Sequence, residues 1–388
     1  MNIKLTTAAL LATFITVSGC VSEFHADIPY ADENILVVEG DIVANSEVDI
    51  ILSKTFSLDN SLLPDNYNDI NATVYLVGSD GYKSPAATHV GDGVHRLTVG
   101  KLLSDVYYSV EIEYDGNKYA SDPEVPLYTP EIDKLDWKQA YEASDVSIRV
   151  STHSDEPGHS YYMWDYIEDW EYSSNFAVYD FYIPETGGFD SYNWAPLYYC
   201  WRNRRGKEIL LGSTETLTEN RILNQQLRAY ESVDERFNVL YSIRLKQIAI
   251  TKRAYEYYQN QAKMSDDMGG LFTPQPSELA GNIKCTSDRT RRVIGYINIL
   301  KNVTETQMYI KSSDIIKGRI PGCALQTAWE VKKILDEQKI SFLDYYYMGN
   351  WPLEDDLQKA SWTKASCIDC TMRGGTKNKP DWWPNDHK

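Results

Sequence analysis

A mainly β chain is predicted, with an N-terminal β-sandwich of immunoglobulin, fibronectin or transthyretin type followed by a larger β-rich domain with a few helices. Three features predict it. Over residues 35 to 128 short apolar runs recur between turn residues at the spacing of a sandwich. Within that block Val110, Ile112 and Tyr114 alternate with Ser109, Glu111 and Glu113 and run into Asp115-Gly116, a period-two pattern closed by a strong hairpin signal. The chain also carries 29 Tyr and 10 Trp, rings that favour strands and form rigid contact surfaces.

The elements follow in order. Lys4 supplies a short basic start and Ala8 to Val17 an apolar run too short for a permanent membrane helix. Val17-Ser18-Gly19-Cys20 then closes it with small residues before a cysteine. Residues 1–19 therefore read as a signal peptide that is removed. Cys20 resembles the lipobox cysteine, which is acylated and becomes the new N-terminus. Several acyl chains on one residue anchor firmly, because each buried methylene contributes about 0.8 kcal/mol. The polar stretch 20–34 reads as a tether. Ile35 to Val38 opens the sandwich, Val48, Ile50 and Leu52 alternate with polar neighbours, and Val74 to Val77 leads into the turn Gly78-Ser79-Asp80-Gly81. Pro123, Pro126 and Pro130 mark a boundary, which places one domain at 35–128 and the β-rich one at 129–388. In the second, Val146 to Val150 and Asn238 to Leu245 read as strands. A helix near Thr251 carries Ala254, Tyr255, Tyr258 and Ala262 on one face. Another is expected from about Ala324 to Gln338, with Leu325, Ala328, Val331 and Leu335 at helical spacing.

Charge narrows the functions. The formal net charge is −18, which argues against nucleic acid, whose binding needs a basic surface to displace counterions. No later stretch is apolar enough to span a bilayer. Beyond the inner membrane disulfides are the default use of cysteine, so Cys200, Cys323, Cys367 and Cys370 are expected to form two bridges. Cys285 then remains the unpaired thiol and the C-terminal tail is stapled. The connectivity stays open among three. Cys367-Ile368-Asp369-Cys370 sits in a Gly/Lys/Pro-rich tail, not at a strand-to-helix turn, and lacks a second close pair. Redox and zinc readings therefore give way to a structural one.

Several strings carry a resemblance. Gly269-Gly270-Leu271-Phe272-Thr273-Pro274-Gln275-Pro276-Ser277 with Gly281-Asn282-Ile283, Cys200-Trp201, Val293-Ile294-Gly295-Tyr296, and Cys367 to Thr376 with Lys379-Pro380-Asp381-Trp382-Trp383 resemble an uncharacterised envelope lipoprotein family of Bacteroides-type bacteria. That family carries a domain of unknown function over nearly the whole mature chain, here about 20 to 384. It is found beside TonB-dependent outer-membrane transporters and their starch-utilisation-type binding lipoproteins. The resemblance implies an outer-membrane lipoprotein associated with nutrient uptake and implies no catalytic residue. Read physically, Gly281 and Gly295 mark bulges or close backbone approach. Glu23 and Asp27 supply a thin acidic signal for surface export.

Enzyme signatures are absent. The chain has no H-E-x-x-H, no G-x-S-x-G and no P-loop. His153 and His159 bracket Asp155 and Glu156 and could touch a metal, but read better as a polar loop, so no metal or cofactor is expected. Asp165, Glu168 and Asp169 among Trp164, Tyr166 and Trp170 offer a sugar cleft if read generously, which keeps a glycoside hydrolase as a third reading. The aromatic density between Tyr161 and Trp201 is the best clue to binding, with Trp164, Trp170, Tyr192, Trp194 and Tyr198 as candidate ligand or partner contacts. The reading is a non-enzymatic accessory binding or scaffolding subunit of a TonB-dependent uptake complex. Its partners would be the transporter and its binding lipoprotein, with an oligopeptide preferred over a glycan as ligand. The alternative is a structural or adhesive surface lipoprotein.

Overall fold

Alternation builds the first seven strands. In β1 (Leu36–Val43) Leu36, Val38 and Ile42 turn inward, and in β2 (Glu47–Lys54) Val48, Ile50 and Leu52 do the same. β3 (Thr73–Gly78), β4 (Thr88–Gly91), β5 (Val94–Thr98), β6 (Tyr108–Tyr114) and β7 (Asn117–Ser121) follow. The β6–β7 turn has Asp115 and Gly116 both at positive φ, 49° and 71°, the two-residue turn whose twist matches its strands. The computed structural model describes residues 34–385 apart from 56–68, 179, 184, 192–194, 268–280, 319–321 and 355. Cys20, the tether and the Gly269–Ser277 string lie outside the described residues.

Two later strands complete the sandwich. β17 (Ile283–Cys285) pairs with β7, and β18 (Val293–Leu300) runs parallel to β1 from Leu36↔Val293 to Val43↔Leu300. The sheets are ordered β18-β1-β2-β5-β4 and β17-β7-β6-β3 and share one core, in which Val38, Ile50 and Leu97 meet Val74, Val110, Ile112 and Ile297. The sandwich is therefore not built from residues 35–128 alone. The segment after Pro126 is pinned to the same strand, with Leu127 N–H donating to the Ile299 carbonyl at 2.9 Å.

Residues 132–250 with 304–311 form a second pair of sheets. β8 (Ile132–Gln139), β9 (Val146–His153) and β15 (Arg221–Tyr230) make one. The other joins β10 (Tyr161–Ser173), β13 (Tyr199–Arg205), β14 (Leu210–Ser213), β16 (Leu240–Ile250) and β19 (Thr304–Lys311). Val146, Ile148 and Val150 of β9 pack on Tyr162, Trp164, Tyr241 and Ile243. The β16 strand begins two residues later than Asn238, because the Asn238 side chain is used instead to accept from Ser173 N–H at 2.7 Å. A hairpin, β11 (Asp180–Ile183) and β12 (Gly188–Ser191), leaves the end of this layer.

Helix α1 (Lys252–Asp267) starts where expected, with Thr251 Oγ1 accepting from Ala254 N–H at 3.1 Å. Its Ala254 and Tyr257 close a third core with Tyr161, Ile248, Tyr296 and Leu300, which joins the two sandwiches. Helix α2 (Ala328–Gln338) begins later than its apolar spacing suggested. A reciprocal cap between Thr327 and Glu330 sets the start, and Gln326 before it pairs with Trp362 as a bridge. α2, α3 (Phe342–Tyr347), β20 (Asn350–Pro352) and β21 (Trp362–Lys364) surround Trp362, Val331 and Tyr345.

The cysteines behave as expected: Cys200–Cys370 and Cys323–Cys367 are bridged and Cys285 is free and buried. The bridges close sequence separations of 170 and 44 residues. By chain-entropy reasoning the longer adds about 5 kcal/mol.

The parallel pair demands glycine. Gly295 has φ of 135°, and a Cβ there would lie 1.8 Å from the Val38 carbonyl oxygen; one on Gly281 would lie 1.8 Å from that of Gly295. Three backbones are thus stacked without room for a methyl group, the close approach anticipated from the sequence. Gly295→Ala is expected to lower the unfolding free energy by about 3 kcal/mol or more, measured by urea denaturation of the soluble chain. A change below about 0.5 kcal/mol, the range of ordinary surface substitutions, would contradict this packing.

Candidate functional site

The long strand β10 presents two different faces, and the site follows from that split. Its even-numbered side chains turn into the second core. Trp164 is 1 % exposed and Trp170 4 %, and Trp164 Nε1 donates to Gln247 at 2.8 Å. Trp170 lies beneath the Arg236 guanidinium, 4.8 Å from its ring centre. These two rings are therefore core, which corrects their assignment as ligand contacts.

Glu168 is buried on the same inner face. It accepts from the Tyr230 hydroxyl at 2.6 Å and the Tyr241 hydroxyl at 2.7 Å, and Arg236 Nε stands 3.4 Å away. Burial first, then the adjacent carboxylate, pushes the Tyr241 hydroxyl well above its ordinary range; the same causes push Tyr230 up to about 12. A buried charge held this way is costly to orphan, at about 3 to 5 kcal/mol when one partner is removed. Glu168 is a structural knot, closed to substrate.

The odd-numbered side chains face outward and pair across strands. The registers Asp165↔Lys246↔Glu305 and Ile167↔Arg244↔Gln307 lay one row on the next, with Arg205 of β13 opposite Ile167. Arg205 pairs with Asp165. Arg244 Nη2 lies 3.5 Å from Asp169, which also accepts from Asn203 at 2.5 Å. Asp165 and Asp169 are separated by four residues of strand, about 13 Å, beyond the spacing of a glycosidase pair. Glu168 faces the other way, so these carboxylates do not converge.

The first sandwich walls this face. Asp41 of β1 accepts from Asn298 Nδ2 at 2.8 Å and lies 3.8 Å from Lys246 Nζ. Two adjoining hollows share Asp41, Arg205 and Lys246. One of about 300 Å³ has Met163, Trp164 and Ile248 in its apolar floor. The other, of about 570 Å³, reaches Glu39, Asp49 and Glu305. Together they form an open groove with an apolar base and walls carrying both signs of charge. Outside both hollows, Trp382 is 44 % exposed with the Arg244 guanidinium 5.0 Å from its ring centre.

Glu208 sits at the groove's rim with an unusual acidity. Burial works against its charge. The Tyr166 hydroxyl donating at 2.6 Å, the nearby backbone N–H groups and the Arg228 guanidinium at 3.0 Å outweigh that and hold the carboxyl at about 2.

Tyr198 is half-buried at the end of a helical turn, its ring 4.8 Å from that of Tyr199. Tyr192 and Trp194 lie outside the described residues, as does Cys20, the residue expected to be acylated. His153 Nδ1 is 2.6 Å from Asp133, and among the described residues no group of three ligating side chains is placed to hold a metal. The groove residues Asp41, Arg205, Glu208, Lys246 and Glu305 were missed by sequence reasoning. Ser242-Ile243-Arg244-Leu245-Lys246 does signal a strand with a charged outer face, but not what lies across from it.

Two joined β-sandwiches with an ion-paired groove at their junction define the architecture. The chain belongs to the family described as a domain of unknown function, DUF4249, whose model matches residues 21–306. The match takes in both sandwiches up to the start of β19 and stops before the Cys367–Thr376 and Lys379–Trp383 strings. No curated protein matches the chain.

Glu208 makes a pH prediction. Its folded pKa lies below the ordinary 4.5, so its stabilisation is present above about 4.5 and is lost as pH falls toward about 2. Urea unfolding across that window is expected to lose stability more steeply for wild type than for Glu208→Gln. Parallel pH profiles would contradict the assignment.

Proposed function

We propose that the chain is a surface-exposed outer-membrane lipoprotein, acylated at Cys20, that serves as an accessory binding subunit of a TonB-dependent nutrient-uptake complex. In this reading its partners are the transporter and the binding lipoprotein of that complex. The groove over β10, β16 and β19 holds an oligopeptide on its way to the transporter. The address comes from the basic start, short apolar run and Val17-Ser18-Gly19-Cys20 closure. The resemblance to Bacteroides-type lipoproteins supplies the complex.

The observation that carries the ligand class is the groove's mixed charge. Asp165, Lys246, Glu305 and Arg205 alternate across neighbouring strands, which lie about 4.8 Å apart. An extended peptide, with an ammonium at one end, a carboxylate at the other and amides between, can exchange into such pairs without leaving a charge unmatched. A neutral glycan would have to open the ion pairs and offer only hydroxyls in return. Sugar-stacking platforms also need exposed ring faces, whereas Trp164, the aromatic ring among the residues lining the two hollows, is almost fully buried.

Calorimetric titration with a defined mixture of short zwitterionic peptides tests this. Wild type is expected to bind, and the double variant Arg205→Glu/Lys246→Glu to bind at least tenfold more weakly, about 1.4 kcal/mol, with an unchanged near-ultraviolet dichroism spectrum. Saturable binding of a neutral oligosaccharide, or equal peptide affinity for both proteins, would overturn it.

A further inference from the structure

We propose that the end of the first sandwich from which the chain runs back toward Cys20 is a docking face for the phosphate-bearing headgroups of anionic membrane lipid. The registers Leu36↔Val293 and Leu36↔Lys54 bring the starts of β1 and β18 and the end of β2 to this end. The β6–β7 turn joins them through the 286–292 loop. There Thr286 N–H donates to the Lys118 carbonyl at 2.7 Å, and Lys118 N–H donates to Ser287 Oγ at 3.0 Å. The end thus gathers Lys54, Lys118, Arg289, Arg291 and Arg292, against Glu113, Asp115 and Asp288. The chain as a whole is strongly acidic, with 56 Asp and Glu against 38 Lys and Arg.

Three features aim this face at a membrane. Lys118, Arg289, Arg291 and Arg292 are exposed. A hollow of about 310 Å³ opens between Asn34, Lys54, Tyr114, Asp115, Arg291 and Arg292. Arg291 lies 4.0 Å from Asp115 and 3.9 Å from Asp288, and Lys118 lies 3.1 Å from Glu113, exposed pairs that exchange at small cost for phosphate oxygens held by a guanidinium fork. Asn34 stands only 14 residues after Cys20, a length of chain that spans about 50 Å at most. An acidic body held that close to an anionic surface is repelled over most of its area. A basic end turned toward the headgroups relieves this and points the opposite end of the sandwich away from the membrane. The groove carboxylates Glu47 and Asp49, at the start of β2, lie toward that opposite end.

The inference takes Cys20 as the anchor, so its test uses the whole mature chain with Cys20→Ser, which binds no membrane through acylation. In vesicle flotation the protein is expected to float with phosphatidylcholine–phosphatidylglycerol vesicles and not with phosphatidylcholine alone, and to be released by raised salt. Arg289→Glu/Arg291→Glu/Arg292→Glu is expected to cut the bound fraction at least fivefold. The single variant Arg289→Glu, on an exposed loop, should lower it measurably without affecting folding. No flotation with the anionic vesicles, or equal flotation of wild type and the Arg289 variants, would overturn the proposal. So would calorimetric binding of inorganic phosphate at matched ionic strength by a chain that does not float with the anionic vesicles, which would assign the face to a soluble phosphate. Acyl labelling of the unmutated chain judges the anchor separately.

Discussion

The parallel pairing of β18 with β1 is the contact on which the remaining architecture depends. It joins residues about 250 positions apart in the chain, and it costs the loop closure that such separation implies. In return, β1 is no longer an open edge that could recruit another strand. Ile297 and Ile299 enter the first core, while Tyr296 and Leu300, on the other face of the same strand, enter the core shared with α1 and the second sandwich. One strand therefore serves two cores, and its geometry is strict enough to exclude a methyl group at Gly281 and Gly295. The same pairing sets Asn298 beside Asp41 and so brings Asp41 to Lys246, which closes the wall of the groove.

The second sandwich solves a different problem with a single long strand. On its inner face β10 combines large rings with a buried carboxylate, and Glu168 is matched by two hydroxyls and a guanidinium. On its outer face the groove pair remains partly hydrated: Asp165 is 35 % exposed and its partner Arg205 72 %, whereas Asp169 and Glu171 farther along are buried. Pairs of that kind contribute little stability, up to about 1 kcal/mol each, so they can reorganise around a ligand at small cost. The C-terminal tail closes the far end of this face. Trp383 Nε1 donates to Glu171 at 2.9 Å, the Tyr172 hydroxyl donates to the Cys370 carbonyl at 2.7 Å, and the Cys200–Cys370 bridge ties the tail to β13. Rigid inner face, adaptable outer face and stapled cover together give a groove with a fixed floor and a responsive lining.

Local features of this fold were legible in the sequence. Period-two alternation located β2 and β6, the run Val74 to Val77 before its turn cluster located β3, Asp115-Gly116 marked the β6 hairpin, and Gly281 and Gly295 signalled close backbone approach. The division of cysteines into two bridges and one buried thiol was also readable. What could not be read was long-range. Nothing local in Val293-Ile294-Gly295-Tyr296 announces a parallel partner at Leu36, and so the sandwich seemed to end at the prolines. The candidate site suffered from the same blindness. Aromatic density pointed to Trp164 and Trp170, yet a strand buried on one face places its rings inside as readily as outside, and only register with β16 decides. The charged groove is made of residues from β1, β10, β13, β16 and β19 whose proximity is a product of topology, invisible to spacing along the chain.

Native-state hydrogen exchange of the intact chain in increasing low concentrations of denaturant tests this dependence most directly. The account predicts that the buried amides of β1, at Val38 and Ile42, and those of β18, at Ile297 and Ile299, exchange through one common opening with the same free energy and the same denaturant slope. If residues 36–54 and 73–121 instead opened as a unit of their own while β18 stayed protected, the first sandwich would stand without its returning strand, and the account would be wrong.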